Sequence, residues 1–191
     1  MGRWHELKEK ISELLEANDC THVLYAYQDR EKYLENTITY ILEGIESGEH
    51  VLLIENERNM NVFSKELKSR LTSDQLEKVH TVSNFDFYQS SGSYHPPAIY
   101  EQLMKTITPF IEKGINFRSW TNVEWGALED PCSIVDWFEN ETDRVVHELN
   151  LTVVCAYNSE KMPEQLAESL KKNHGHLMTD HDILSSVVYS S

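Results

Sequence analysis

The chain has 191 residues, enough for one domain and too few for two ordinary ones. Its 17 Lys and Arg stand against 32 Asp and Glu, and the resulting charge of −15 repels phosphate backbones, which argues against direct DNA or RNA binding. A hydrophobic content of 40 % with 10 % aromatics suits a packed globule rather than a disordered acidic chain.

An amphipathic helix is expected first, over 1–18, with Trp4, Leu7, Ile11, Leu14 and Leu15 on its apolar side, and a single α/β domain over 19–191. The helix is a candidate docking element, or else a cover for one face of the sheet. His22 to Tyr27 reads as a first strand, and Leu34, Ile38, Ile41, Leu42 and Ile45 then recur at helical spacing up to Gly48, which ends the helix. Val51 to Ile54 is a continuous apolar run, the mark of a strand buried on both faces. Val62, Phe63, Leu67 and Leu71 make a helix face, and Val79 to Phe87 a third strand region. Ser90 to Pro97 looks like a loop, and Ile99 to Ile111 a helix stopped by Gly114. Phe117 to Val123 is a fourth strand, and Asp130-Pro131 starts a helix that buries Ile134, Val135, Phe138, Val145, Val146 and Leu149. Leu151 to Tyr157 is the clearest strand. Pro163 opens the last helix, and the tail from Leu177 to Val188 supplies a final edge strand. This alternation predicts a three-layer α/β fold, a mostly parallel sheet with helices on both faces.

No apolar stretch reaches the roughly 20 residues of a membrane span, and Met1 to Lys10 lacks the apolar core of a signal peptide. Three cysteines without CxxC spacing fit a reducing compartment, so a cytoplasmic location is expected.

In such a sheet the binding crevice opens beyond the carboxyl ends of the strands. The first strand-to-helix junction, Tyr27 to Thr37, contains no glycine and no Gly-Lys-Ser/Thr, while Asp29, Glu31 and Glu35 would repel a triphosphate. ATP hydrolysis is therefore not expected. The following segment, Ile41 to Glu55 with Gly44 and Gly48, nonetheless resembles the helix and second strand of RecA-like and KaiC-like ATPases.

The order of His22 to Tyr27, Gly44-Ile45-Glu46-Ser47-Gly48-Glu49, Thr121 to Leu128, Glu139, Cys155-Ala156-Tyr157 and Asn173-His174-Gly175 resembles the MEDS family, the methanogen/methylotroph and DcmR sensory domain. The resemblance runs from about His22 to His174. It implies a RecA/KaiC-like fold that has lost its phosphate loop, and a non-catalytic sensory or regulatory role. It also implies that a small organic ligand or a protein partner, such as a kinase or transcription regulator, meets a relic nucleotide-site crevice. The signal would pass through a separate regulator or a change of homo-oligomer. The family usually carries Gly-Asp/Glu-Met before its central Trp, where this chain has Asn122-Val123-Glu124 before Trp125.

Candidate ligand contacts follow from position. Glu124 and Trp125 close the fourth strand, where an aromatic face beside a carboxylate can hold an apolar or cationic molecule. Tyr25 and Tyr27 lie on the first strand, as ligand contacts or as core. Glu55, Trp120 and Tyr157 belong to the neighbouring strands. Glu139, if it points inward, must be paired, and Arg118 or Arg144 is the expected partner. His174 follows the last helix, where the family resemblance implies a fold or switch role. It also belongs to a C-terminal group with His176, His181, Asp180 and Asp182 whose spacing matches no closed zinc pattern, so no metal and no cofactor are expected. Cys155 reads as a small hydrophobe rather than a nucleophile. Two other readings remain: an enzyme acting on a small organic substrate through Glu124 or Cys155, and an acidic protein that sequesters a basic regulator.

Overall fold

The computed structural model describes residues 7, 9–14, 20–89, 94–125 and 131–189. Among the described residues, seven strands form one sheet in the order β3-β2-β4-β5-β1-β6-β7. They are β1 (Thr21–Tyr27), β2 (His50–Glu55), β3 (Val79–Ser83), β4 (Phe117–Asn122), β5 (Thr152–Asn158), β6 (His176–Met178) and β7 (Ile183–Ser185). Every pairing is parallel except β6 with β7. Helices α1 (Arg30–Glu46), α2 (Glu57–Lys68), α3 (Ser73–Leu76), α4 (Asn84–Tyr88), α5 (Pro96–Glu112), α6 (Cys132–Leu149) and α7 (Glu164–Asn173) accompany the strands. None of the described helices is long and apolar enough to cross a membrane.

Two apolar cores flank the sheet, because successive strand residues face opposite ways. Tyr25, Leu53, Trp120 and Val154 pack with Ile38, Ile41 and Ile45 of α1 and Phe63 of α2 on one side. Leu24, Ile54, Cys155 and Tyr157 pack with Ile99 of α5, Phe138 of α6 and Leu166 of α7 on the other. Gly44 permits the tight contact of α1 with the sheet, since a Cβ there would stand 2.9 Å from both Val51 Cγ2 and Arg118 Cδ. Gly48 turns the chain out of α1 with φ +83°, a conformation that favours glycine. Asn150 does the same after α6 at φ 52°.

Two expectations need correction. The third strand stops at Ser83, whose hydroxyl caps α4 by accepting from the Asp86 N–H. A continued strand would place Phe85 and Phe87 on one face; the helical turn leaves Phe85 71 % exposed and Phe87 fully buried. The tail forms a β6–β7 hairpin rather than one edge strand, with β6 beside β1. At the N-terminus, Leu7 and Ile11 are buried in the α1-side core, so these two residues cover the sheet. Trp4, Leu15, Asp130 and residues 90–93 of the expected loop lie outside the described residues, as does the stretch from Gly126 to Leu128.

Candidate functional site

Helix α1 leaves β1 toward one face of the sheet, whereas α7 leaves the adjacent β5 toward the other. The loops part between these two strands, which is where an α/β sheet opens its crevice. A cleft of about 170 Å³ lies there, lined by Tyr27, Val123, Glu124, Trp125, Asn158 and Lys161. Glu124 is exposed, and its carboxylate accepts from the side-chain amides of Asn84 (3.1 Å), Asn56 (3.3 Å) and Asn122 (3.4 Å). The indole of Trp125 leans on Tyr157 with ring centroids 6.0 Å apart. A larger cleft, about 340 Å³, sits at the opposite end of the sheet among Glu49, Phe110 and Asn150, on the side where the strands begin.

Beneath the crevice Glu55 is wholly buried at the end of β2. It accepts from Asn122 Nδ2 (2.6 Å), the Asn56 N–H (2.7 Å), Asn59 Nδ2 (3.3 Å) and the Tyr33 hydroxyl. Burial pushes its carboxyl above the usual range, against the pull of these donors. Asn122 joins Glu55 to Glu124, so an inner and an outer carboxylate share one amide. Trp120 donates from Nε1 to the Tyr33 hydroxyl and is fully buried.

The junction where a phosphate loop would sit is filled from within the chain. Asp180, in the turn between β6 and β7, accepts at Oδ2 from the N–H groups of Gln28 (3.0 Å) and Asp29 (2.9 Å). Its Oδ1 accepts from the Tyr25 hydroxyl at 2.8 Å. Asp29 then caps α1, accepting from Glu31 and Lys32 N–H. The helix N-terminus, a natural anion site, thus holds a carboxylate of its own protein. Lys10 pairs with Asp182 in the same hairpin, tying in the N-terminal helix.

On the far side of the sheet a second polar group is buried in the α6–α7 core. His22 (β1), Glu139 (α6), Cys155 (β5) and His174 (after α7) bring their ligand atoms within 4.8 Å of one another. His22 Nε2 lies 3.3 Å from Glu139 Oε2, and His174 Nε2 lies 3.6 Å from the same oxygen. Cys155 Sγ is 3.5 Å from His22 Nε2, and the Tyr157 hydroxyl donates to the other oxygen, Oε1. Burial opposes a charge on His22, but hydrogen bonds to Asp143 and Glu139 outweigh it and lift its pKa to about 9. Burial and the neighbouring His22 push His174 down to about 3, and burial pushes the Cys155 thiol well up. Glu139, despite burial, is held low by its imidazole neighbours.

The structure therefore divides the sequence candidates. Tyr27, Glu124 and Trp125 reach the cleft together. Tyr25, Glu55, Trp120, Glu139, Tyr157 and His174 are each fully buried, which removes them from direct contact with a ligand in the crevice. Glu139 finds histidines, not arginines: Arg118 pairs with Glu49, and Arg144 lies on the exposed face of α6 with Glu141 and Glu148. The C-terminal group disperses, His174 toward Glu139, Asp180 toward β1 and Asp182 toward Lys10. Sequence reasoning missed Asn158 and Lys161 as cleft residues and Asp143 as a partner of His22. The ends of β5 and the helical i, i+4 spacing of Glu139 and Asp143 were the available signals.

The family model "MEDS: MEthanogen/methylotroph, DcmR Sensory domain" matches residues 21–175. Among solved structures, the KaiC-like protein PH0186 of the hyperthermophilic archaeon Pyrococcus horikoshii OT3 is similar over 84 % of this chain and 71 % of its own, at 16 % identity and a TM-score of 0.54. A second solved structure, of an ATPase domain, is similar over 84 % of this chain and 69 % of its own, at 10 % identity and a TM-score of 0.52. At these identities the likeness concerns the fold, which is that of RecA/KaiC-like domains. No curated protein matches.

Proposed function

Because the chain belongs to the MEDS family of sensory domains, we propose that it senses a small organic molecule held in the crevice at the ends of β1, β4 and β5. The observation that carries this reading is the cleft itself, which sets the Trp125 ring and the Tyr27 phenol beside the Glu124 carboxylate and Lys161. An aromatic wall with one carboxylate and one ammonium suits a compact amphipathic molecule, and a cationic group on it gains from both the ring face and Glu124. At about 170 Å³ the cleft is below the roughly 300–1,000 Å³ that encloses drug-sized ligands. The Asp180 carboxylate on the Gln28 and Asp29 N–H groups stands where a nucleotide phosphate would have to sit. Both features favour a small ligand over a nucleotide.

The response follows from the connections. Glu124 is joined through Asn122 and Asn56 to Glu55, and Glu55 to α1 through Tyr33. A ligand that engages Glu124 competes for those amides and changes the relative stability of the loops that hold them, which shifts a population rather than driving a reaction. The shifted loops present a changed surface to a regulatory protein, the output of the sensor.

A thermal-shift screen of small organic amines, alcohols and acids tests the reading. A compound that stabilises the chain, is recovered unchanged, and loses its effect in Glu124→Gln and Trp125→Ala supports it. Stabilisation by magnesium-ATP in place of small organics, or a ligand effect indifferent to both substitutions, refutes it.

A further inference from the structure

We propose that His22, Glu139, Cys155 and His174 form a closed binding site for one divalent transition-metal ion, of the borderline zinc or ferrous kind. The site lies on the α6–α7 side of the sheet, and its argument stands independently of the crevice.

Geometry comes first. Ligand atoms bound at roughly 2.0–2.3 Å around a tetrahedral ion stand about 3.3–3.8 Å from one another. The three separations between His22 Nε2 and Glu139 Oε2, His22 Nε2 and Cys155 Sγ, and His174 Nε2 and Glu139 Oε2 are 3.3, 3.5 and 3.6 Å. The two imidazoles overlap with centroids 3.8 Å apart and planes inclined by 31°, so both Nε2 corners open toward the same oxygen.

The orientation of each ligand is fixed from behind. His174 Nδ1 lies 2.7 Å from the Leu170 carbonyl, and His22 Nδ1 lies 3.0 Å from the Asn173 carbonyl and 3.2 Å from Asp143 Oδ1. A carbonyl only accepts, so Nδ1 carries the proton and Nε2 is the nitrogen left for a cation, which is how metal-bound histidines are ordinarily held. Glu139 is oriented likewise, with Tyr157 on Oε1 and Oε2 directed into the group. Glu139 Oε2 and His174 Nε2 are buried without a well-aligned hydrogen bond, Oε2 meeting only the two imidazoles at 3.3 and 3.6 Å, an arrangement that costs free energy wherever it persists. A cation satisfies both atoms at once.

Charge and donor type agree. Two neutral imidazoles, a thiolate and a carboxylate carry two negative charges, which a divalent ion cancels in a site whose four side chains are almost wholly removed from water. Binding releases the Cys155 thiol proton and the proton His22 shares with its carboxylates. Nitrogen and sulfur donors with one carboxylate select zinc or iron over magnesium or calcium. With four protein ligands no coordination position stays open, so the ion braces β1, β5, α6 and the end of α7 against one another rather than performing chemistry.

The full chain, purified without added metal, is analysed for zinc and iron. It is then stripped with a chelator and titrated with Co2+, with Zn2+ and Fe2+ as competitors. About one ion per chain, a thiolate-to-cobalt charge-transfer band in the near ultraviolet, and a melting temperature lowered by stripping are expected. Cys155→Ser abolishes the charge-transfer band, His174→Gln weakens binding, and Asp143→Asn weakens it roughly 10- to 100-fold by releasing His22. His181→Asn, at an exposed position, leaves binding unchanged. The elemental analysis and the competition distinguish zinc from iron. A native chain with no stoichiometric metal and no cobalt–thiolate band overturns the proposal, and that result needs no variant to fold. A native chain that holds no stoichiometric metal and gives no cobalt–thiolate band, yet binds an organic ligand, defeats this site while leaving the crevice reading intact; a chain that binds the metal and no organic ligand does the opposite.

Discussion

One polar region of this molecule opens at the carboxyl ends of the strands, the other lies inside the α6–α7 core, and they are built on opposite plans. At the crevice, Glu124 is exposed, its carboxylate is met by amides that water can replace, and the cleft is open to solvent. In the α6–α7 core, His22, Glu139, Cys155 and His174 are sealed from water, and every one of them depends on another. Interactions of an exposed charge are screened, whereas those of a buried charge are not. The first region can therefore exchange partners at little cost to the fold, and the second cannot.

Substitutions should separate the regions by their cost. The largest effect is expected from Glu139→Ala, which strands His22 and the Tyr157 hydroxyl; removing one partner of a buried pair costs about 3–5 kcal/mol, read as a lower denaturation midpoint in urea. A loss below about 1 kcal/mol would show that the buried group is not a structural unit. Asp180→Ala comes next, because it leaves the Gln28 and Asp29 N–H groups without their acceptor, at about 1–3 kcal/mol in the same measurement. Glu124→Gln should change stability by no more than about 0.5 kcal/mol while removing the response to an organic ligand, since the position is exposed.

The smallest effect belongs to a third pair, His50 and His80, whose rings stack with Nδ1 and Nε2 2.8 Å apart. Burial, together with Lys78, lowers His50, and burial with His50 lowers His80. An imidazole held below its unfolded pKa of about 6.5 takes up protons more readily when unfolded, so stability falls as pH drops through about 6.5 toward the folded value. Comparing melts at about pH 7.5 and about pH 5.5, on either side of that value, the drop should be smaller in His80→Gln than in the parent chain. An equal drop would assign the acid sensitivity elsewhere.

Much of the architecture was legible because it is written in local signals. The continuous apolar run of β2 announces a strand covered on both sides, and Gly48 ends α1 where a left-handed residue is needed. The place of Glu124 and Trp125 at the end of β4 was readable for the same reason, since a strand's carboxyl end defines the crevice. The partner of Glu139 was not. Charge complementarity favours an arginine, and only the packing of α6 against β1 and β5 shows two histidines instead, one from near each end of the chain. Phe85 and Phe87 show the same limit at short range, for their alternation fits a strand until the Ser83 cap turns the chain.

By itself, then, the sequence determined the alternation of strands and helices, the parallel sheet, the absence of a glycine phosphate loop and the edge of the sheet where the Glu124 cleft lies. Those properties depend on hydrophobic period and on backbone preference, which act over a few residues. The tertiary structure alone decided that Asp180 fills the junction between β1 and α1 and that His22, Glu139, Cys155 and His174 converge. Contacts between residues 133 or 152 positions apart are set by how the layers close, and no local pattern encodes which side chains then meet.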